Sequence, residues 1–252
     1  MTLRETFLRR FDPAGRYGLR VTLFAVAFAL VAVPFGVLVS QVRGEGRLVD
    51  IDTAGLDRLH DWVRASPGVV GPLKAVTDLG APIWLWLVMT VAVVALLRVG
   101  RTRLAVFLIV TALVGSLLDT VVKIAVDRPR PFLLDPVASA RGKSFPSGHA
   151  MSATVCYGAL LLAFLPAVAR RWRPWLVGGT AFLVLAIAFT RLALGVHYLS
   201  DVVGGIILGL AWLAISTATF SIWRVERGRR PVHPMEGVEP EVAGDLRKEI
   251  PT

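Results

Sequence analysis

The sequence predicts an all-α integral membrane protein: a six-transmembrane helix bundle with both termini cytoplasmic and an extracytoplasmic amphipathic segment. Three observations lead there. Hydrophobic residues make up 55% of the 252 residues, and the mean hydropathy is +0.64. These residues are gathered into runs, several of which reach the roughly 20 residues needed to cross a hydrocarbon core of about 30 Å. The basic residues fall in short clusters between the runs, which is how cytoplasmic Lys and Arg set topology. The net charge of +10 is therefore read as topology plus an anion site, and nucleic acid is excluded as a partner because no long basic face collects the charge. Cys156 is the sole cysteine, so no disulfide can form within the chain. The dominance of Arg over Lys, with heavy use of Ala, Val and Gly, suggests a GC-rich bacterial genome.

Residues 1–20 are polar and basic, and the first apolar run, about Val21 to Val42, lacks a small-residue cleavage site at its end. It is read as a retained span with its N-terminus in the cytoplasm. From Arg43 to Asp78 the charges are mixed, as on the far side of the membrane. Within that stretch Leu56, Leu59 and Val63, with Trp62 beside them, recur at helical spacing up to Ser66-Pro67. This predicts an amphipathic helix lying in the interface, either completing the bundle or gating substrate entry.

The second span, about Ala81 to Leu97, ends at the arginines of a cytoplasmic turn, Arg98, Arg101 and Arg103. The third, about Leu104 to Ala125, carries Asp119 and Lys123 on one face. A basic loop follows, Arg128-Pro129-Arg130-Pro131 through Arg141 and Lys143, and it faces outward against the positive-inside tendency. The fourth span, about Ala150 to Ala169, leads to Arg170, Arg171 and Arg173; the fifth, about Trp175 to Leu194, returns outward. The sixth, about Val202 to Trp223, carries Gly205 and Gly209 as a small-xxx-small pair for close packing. Residues 21–223 thus form one six-span domain, and 224–252 have the composition of a disordered cytoplasmic tail.

Three polar clusters interrupt the hydrocarbon between Lys123 and Asp201, and the alternation puts all of them on the outer side. They are Lys123 with Arg130-Pro131, then Pro146-Ser147-Gly148-His149, then Thr190-Arg191 with His197 and Asp201. Breaking a phosphate ester requires that charge on several oxygens be held while a nucleophile attacks and a leaving oxygen takes a proton. Lys123, Arg130 and Arg191 supply a positive clamp. Ser147 and Gly148 open the fourth span, where backbone N–H groups and the Ser147 hydroxyl can face an anion and Gly148 allows close approach. His197 and Asp201 stand four residues apart, so the carboxylate can accept one ring N–H and leave the other nitrogen as nucleophile. His149 is placed to protonate the leaving oxygen and then to activate water. This predicts a phosphohistidine intermediate and a site with no metal and no cofactor. His149, His197 and Asp201 could ligate a metal, but the neighbouring cations repel one.

Lys-x6-Arg-Pro, Pro-Ser-Gly-His and Arg-x5-His-x3-Asp resemble the three signatures of the type 2 phosphatidic acid phosphatase family. The motifs cover Lys123 to Asp201, and the six-span pattern extends the likeness to most of the chain. The resemblance implies His197 as nucleophile, Asp201 as its partner, His149 as acid and base, and Lys123, Arg130, Ser147, Gly148 and Arg191 as phosphoryl ligands. Thr190 stands where the family usually has Ser; a hydroxyl is retained.

Other polar residues receive plainer readings. Asp119 is open to three readings, pairing with Lys123, orienting Arg130 or holding helices together, with a structural role favoured, and Arg128, Arg141 and Lys143 are expected to be solvated loop charges that attract anions. His60 and His233 match no motif. An outer-surface site with little soluble domain suits a substrate that stays in the bilayer, a lipid phosphate or pyrophosphate. In a bacterium the resemblance implies undecaprenyl pyrophosphate, placed first through its link to cell-wall biogenesis, or phosphatidylglycerophosphate, phosphatidic acid or diacylglycerol pyrophosphate. A lipid phosphotransferase and a non-catalytic lipid transporter are the rival classes; the latter is expected to lack catalytic residues that this chain retains. The expected location is the cell membrane, multi-pass.

Overall fold

A computed structural model describes residues 33, 35–42, 44, 47–133, 136–226 and 237–238. Its elements are helical. Residues 35–42, the end of the first apolar run, are helical, and the rest of that run lies outside the described residues. Seven longer helices follow: α1 Arg47–Ala65, α2 Val70–Asp78, α3 Pro82–Arg98, α4 Thr102–Val126, α5 Gly148–Phe164, α6 Arg173–Ala193 and α7 Leu199–Glu226.

Their boundaries follow from local chemistry. Pro82 sits in the first turn of α3, where a missing N–H costs nothing and its fixed φ suits a helix start. Asp127 ends α4 in the left-handed region, at φ 56°, with its N–H on the Lys123 carbonyl. That reversal turns the chain out into the basic loop. Pro174 opens α6 in the same way as Pro82 opens α3.

Five helical stretches are long and apolar enough to cross a membrane: 67–98, 102–126, 148–167, 170–193 and 199–221. They match the second to sixth expected spans, and the described part of the first is too short to test the sixth. Ile83, Leu87 and Val91 of α3, Leu113, Leu117 and Ile124 of α4, and Phe182 and Leu185 of α6 are exposed, an apolar belt suited to lipid.

Helix α5 is the hub, packed against α3, α4, α6 and α7. Its small residues allow this: Ala150, Ala153, Ala159 and Ala163 are fully buried. The Gly205 and Gly209 pair of α7 faces it, as their spacing predicts. A Cβ on Gly205 would stand 2.7 Å from the Ser147 carbonyl oxygen, and one on Gly209 2.9 Å from Thr154. Below the site, Leu85, Met89, Leu96, Leu104, Phe107 and Leu108 of α3 and α4 close a core around Cys156 and Ala159. Val238, in the stretch read as a disordered tail, is buried in that same core and donates its N–H to the Leu162 carbonyl at 3.1 Å.

The amphipathic helix α1 is present and packs on α6 and α7, burying Leu56 and Val63 while Trp62 stays exposed against Phe189. Its buried stripe also holds two polar residues, Asp52 and His60.

Candidate active site

Four pieces of chain meet at one end of the bundle: the end of α4, the loop 127–147 with the start of α5, the end of α6, and the turn 194–198 with the start of α7. Between them lies a cavity of about 300 Å³ lined by Lys123, Arg130, Gly148, His149, Arg191 and His197. Six of the eight residues singled out in the sequence therefore share one wall. Asp201 stands behind His197, and Ser147 does not line the cavity. The Ser147 side chain is fully buried with its hydroxyl unpartnered, and its N–H is committed to the Asp201 carbonyl at 2.9 Å. In this structure Ser147 joins α5 to α7 and offers nothing to an anion.

His197 is 2% exposed. Its Nδ1 lies 3.3 Å from Oδ2 of Asp201, and its Nε2 lies 3.0 Å from Nη1 of Arg130. A carboxylate only accepts and a guanidinium only donates, so the proton belongs on Nδ1 and the lone pair on Nε2. Burial pushes the imidazole down to about 4 despite Asp201 pulling it up, and Arg130 and Arg191 add to the lowering. The ring is neutral at pH 7, with its Nε2 lone pair free of a proton.

The clamp residues are braced individually. Arg130 gives Nε to the Gly142 carbonyl at 3.1 Å and Nη1 to the Val196 carbonyl at 2.8 Å. Burial lowers its pKa against the opposing pull of Asp201 and Asp119, and a guanidinium stays charged regardless. Arg191 donates Nη1 to Oγ1 of Thr77 on α2 at 2.8 Å, while its Nε is buried without a partner. Lys123 is paired with Asp119, as its spacing predicts. Asp119 itself lines the cavity, with Oδ1 unpartnered, so it belongs to the site's wall. Gly148 lets the Lys123 ammonium sit close to the start of α5, since a Cβ there would stand 2.8 Å from it and displace the end of that side chain. The α2–α3 turn closes over His149, with a Cβ on Gly80 reaching within 3.4 Å of its ring.

Thr190 turns its hydroxyl back onto the Ile187 carbonyl at 2.6 Å, which accounts for a helix hydroxyl here without any contact to the cavity. Arg141 and Lys143 are exposed, and Arg141 reaches the cavity wall. Arg128 corrects the expectation of a solvated charge. It is 7% exposed, bonded to Asp201 at 2.6 Å, Ser200 at 2.7 Å and Asp52 at 2.8 Å, and lies over the Tyr198 ring. Burial pulls its pKa down, but Asp201 and Asp52 more than offset this and the net shift is upward. Local spacing does not reveal it, because Asp52 is 76 residues away. Ser144, which donates to Asp201, was missed for the same reason.

Among the described residues no three of His, Cys, Asp and Glu gather as a ligand set. The cavity instead presents cations to an anion, with a neutral imidazole beside them. A second, apolar groove of about 140 Å³ runs between α3 and α4 and shares Trp86, Met89 and Ala112 with the cavity.

Comparisons with known proteins show what the chain is similar to. The model of the PAP2 superfamily matches residues 102–224, which contain all three polar clusters. Phosphatidylglycerophosphatase B of Bacillus subtilis (strain 168) is 28% identical over 142 residues, 55% of this chain and 68% of the relative. Lipid A 1-phosphatase of Rhizobium etli is 32% identical over 123 residues, 44% of this chain, and the match spans 48% of that relative's length. The fold is similar to the crystal structure of a transmembrane PAP2-type phosphatidylglycerolphosphate phosphatase from Bacillus subtilis. Its TM-score is 0.71 at 21% identity, over 80% of this chain and 97% of that one. The family match covers α4 to α7 and the loops between them, and the bundle around them has the same fold, so the chain is similar to the PAP2 superfamily over residues 102–224.

Proposed function

We propose that the chain removes the phosphoryl group from a phosphomonoester lipid of the phosphatidylglycerophosphate kind at the extracytoplasmic face, through a phosphohistidine on His197. One observation carries this reading: the cationic cavity that holds both imidazoles borders the apolar groove between α3 and α4, with Trp86, Met89 and Ala112 lining both. A head group and its tail can be bound at once. The outward placement is supported by the arginines at the opposite end of the bundle, Arg98 at the end of α3, Arg101 after it, and Arg170 and Arg171 before α6. With the 21–42 run as a sixth span, both termini lie in the cytoplasm.

In the reaction, Lys123, Arg130 and Arg191 hold the phosphoryl oxygens. The Nε2 lone pair forms the N–P bond as the P–O bond to the lipid breaks, and the electron pair leaving with that oxygen takes a proton from His149. Water then gives a proton to His149 and attacks phosphorus, the N–P pair returns to Nε2, and phosphate departs. Asp201 holds the Nδ1 proton and stabilises the positive ring.

A polyprenyl pyrophosphate is the second reading, favoured by Arg141, whose place on the cavity wall suits a second phosphate. The test is phosphate release by the purified chain in detergent with EDTA, across phosphatidylglycerophosphate, phosphatidic acid and undecaprenyl pyrophosphate. Preference for the first, lost in His197→Ala, supports the proposal. Full activity in that variant would remove the nucleophile from it, and transfer of phosphate to an alcohol would make the chain a phosphotransferase.

A further inference from the structure

We infer that Arg128 and Asp52 are positioning residues of the catalytic pair: a buried Asp52–Arg128 bridge, reaching in from α1, fixes the Asp201 carboxylate behind His197. The inference rests on His197 being the nucleophile. Arg128 is not among the residues lining the cavity, so it does not bind the phosphoryl group; its effect must pass through Asp201.

The division of Asp201 shows how. Its Oδ1 takes Nη1 of Arg128 at 2.6 Å. Its Oδ2 takes the Tyr198 N–H at 2.9 Å, the Ser144 hydroxyl and Nδ1 of His197 at 3.3 Å. A carboxylate engaged on both oxygens cannot rotate, so the ring it holds cannot either. The planar guanidinium fork spans three acceptors at once, which an ammonium of one point charge does poorly. Asp52 completes the arrangement from outside the bundle. Its Oδ2 takes Nη2 of Arg128 at 2.8 Å, and its Oδ1 takes the Ser200 N–H at 2.9 Å, a free donor of the first turn of α7. Helix α1 is thus tied to the reacting ring through two ion pairs and is not a mere cover.

The bridge also sets the charge around His197. Arg130 faces Nε2 directly, and Arg191 of α6, His149 of α5 and the Lys123–Asp119 pair of α4 look onto it across the cavity. On the Nδ1 side stand two carboxylates and one guanidinium. Removing Arg128 leaves those carboxylates unbalanced, which favours the imidazolium and raises the His197 midpoint. Removing the Asp52 charge leaves Arg128 less neutralised and lowers it.

The opposite signs give the test. The full chain in detergent, with labelled histidine, is titrated by NMR, with His197→Ala assigning its resonances. The kcat and KM for phosphate release are measured alongside. Arg128→Gln should move the His197 midpoint up by about one unit and reduce kcat roughly 10- to 100-fold, with KM nearly unchanged. Asp52→Asn should move the midpoint down with a smaller loss of kcat, and Arg128→Lys should bring the midpoint back toward wild type. Midpoints that stay at the wild-type value while activity follows the folded fraction overturn the inference, as does a change confined to KM. If Arg128→Gln does not fold, the sign of the shift in Asp52→Asn decides. Failure of His197→Ala to abolish release would instead sink the proposed function itself, so the two are separable.

Discussion

Nη1 of Arg130 lies 3.0 Å from Nε2 of His197, the ring nitrogen that Asp201 leaves unused. The lone pair is therefore capped by a cation, the one that in the proposed function binds the phosphate. Phosphoryl oxygens compete for that guanidinium, so binding and uncovering of the nucleophile are one event. Arg130→Ala is expected to lower kcat/KM by roughly 100-fold or more. It should also make His197 react faster with an imidazole-acylating reagent, because nothing then covers Nε2. Slower or unchanged modification would show that the cap does not exist.

The two imidazoles should fail in different ways. A nucleophile is needed to form the phosphoenzyme, and a general base to hydrolyse it. His149→Ala, given a substrate with a leaving group good enough to need no acid, should accumulate an acid-labile phosphoprotein. His197→Ala should give none. Radiolabel from phosphate-labelled lipid, counted on quenched protein, separates the two, and equal labelling would reverse the roles assigned here.

Acid should destabilise the fold through His197. Its folded pKa of about 4 is below the unfolded value near 6.5, so between these limits the unfolded chain binds more protons. Stability contributed by the neutral ring is present above pH 6.5, is lost as pH falls toward 4, and amounts to roughly 3 kcal/mol over that window. The melting temperature in detergent should fall more steeply over this range than in His197→Asn. Parallel profiles for the two proteins would mean that His197 is not the group responsible.

How much of this could be read from the sequence depends on how far apart the partners lie. The spans at 82–98, 102–126, 148–164 and 173–193 end within a few residues of where Arg, Pro and the polar clusters place them, because each boundary is set locally. His197 with Asp201 and Asp119 with Lys123 are legible for the same reason: each pair is four residues apart, Asp119 and Lys123 on one turn of α4, and His197 just ahead of the first turn of α7 that carries Asp201. Arg128 was not, since a basic loop residue next to Pro129 looks the same whether it meets water or Asp52. Ser147 shows the reverse failure, as its motif position is right but the packing of α5 on α7 turns it away from the cavity.

Asp119 places a carboxylate among the cations of the cavity. It orients Lys123, but it also neutralises that ammonium, and in the proposed function its charge opposes that of the phosphoryl group. With the rest of the clamp held by Thr77, Val196 and Gly142, the repulsion should outweigh the orientation. Asp119→Asn is then expected to tighten inhibition by inorganic phosphate by roughly three- to tenfold, as loss of a like charge at short range implies. Weaker inhibition in the variant would mean that holding Lys123 is the larger effect.

The closeness of α5 and α7 is what brings His149 and Asp201 to one site, and it depends on Gly205. A Cβ there would stand 2.7 Å from the Ser147 carbonyl oxygen and 3.2 Å from the Met151 nitrogen, both backbone atoms that cannot rotate away. Gly205→Ala must therefore push the helices apart one turn from Asp201, straining the bond from the Ser147 N–H to the Asp201 carbonyl. A cost of about 1–3 kcal/mol is expected, with activity falling further than stability because the imidazole pair is displaced. Gly178, on the exposed face of α6 with open space around it, is the control: Gly178→Ala should raise stability by up to about 1 kcal/mol through helix propensity. Melting temperatures and phosphate release from both variants in detergent check this, and a Gly205→Ala protein as stable and active as Gly178→Ala would show that the contact between the two helices has room to spare.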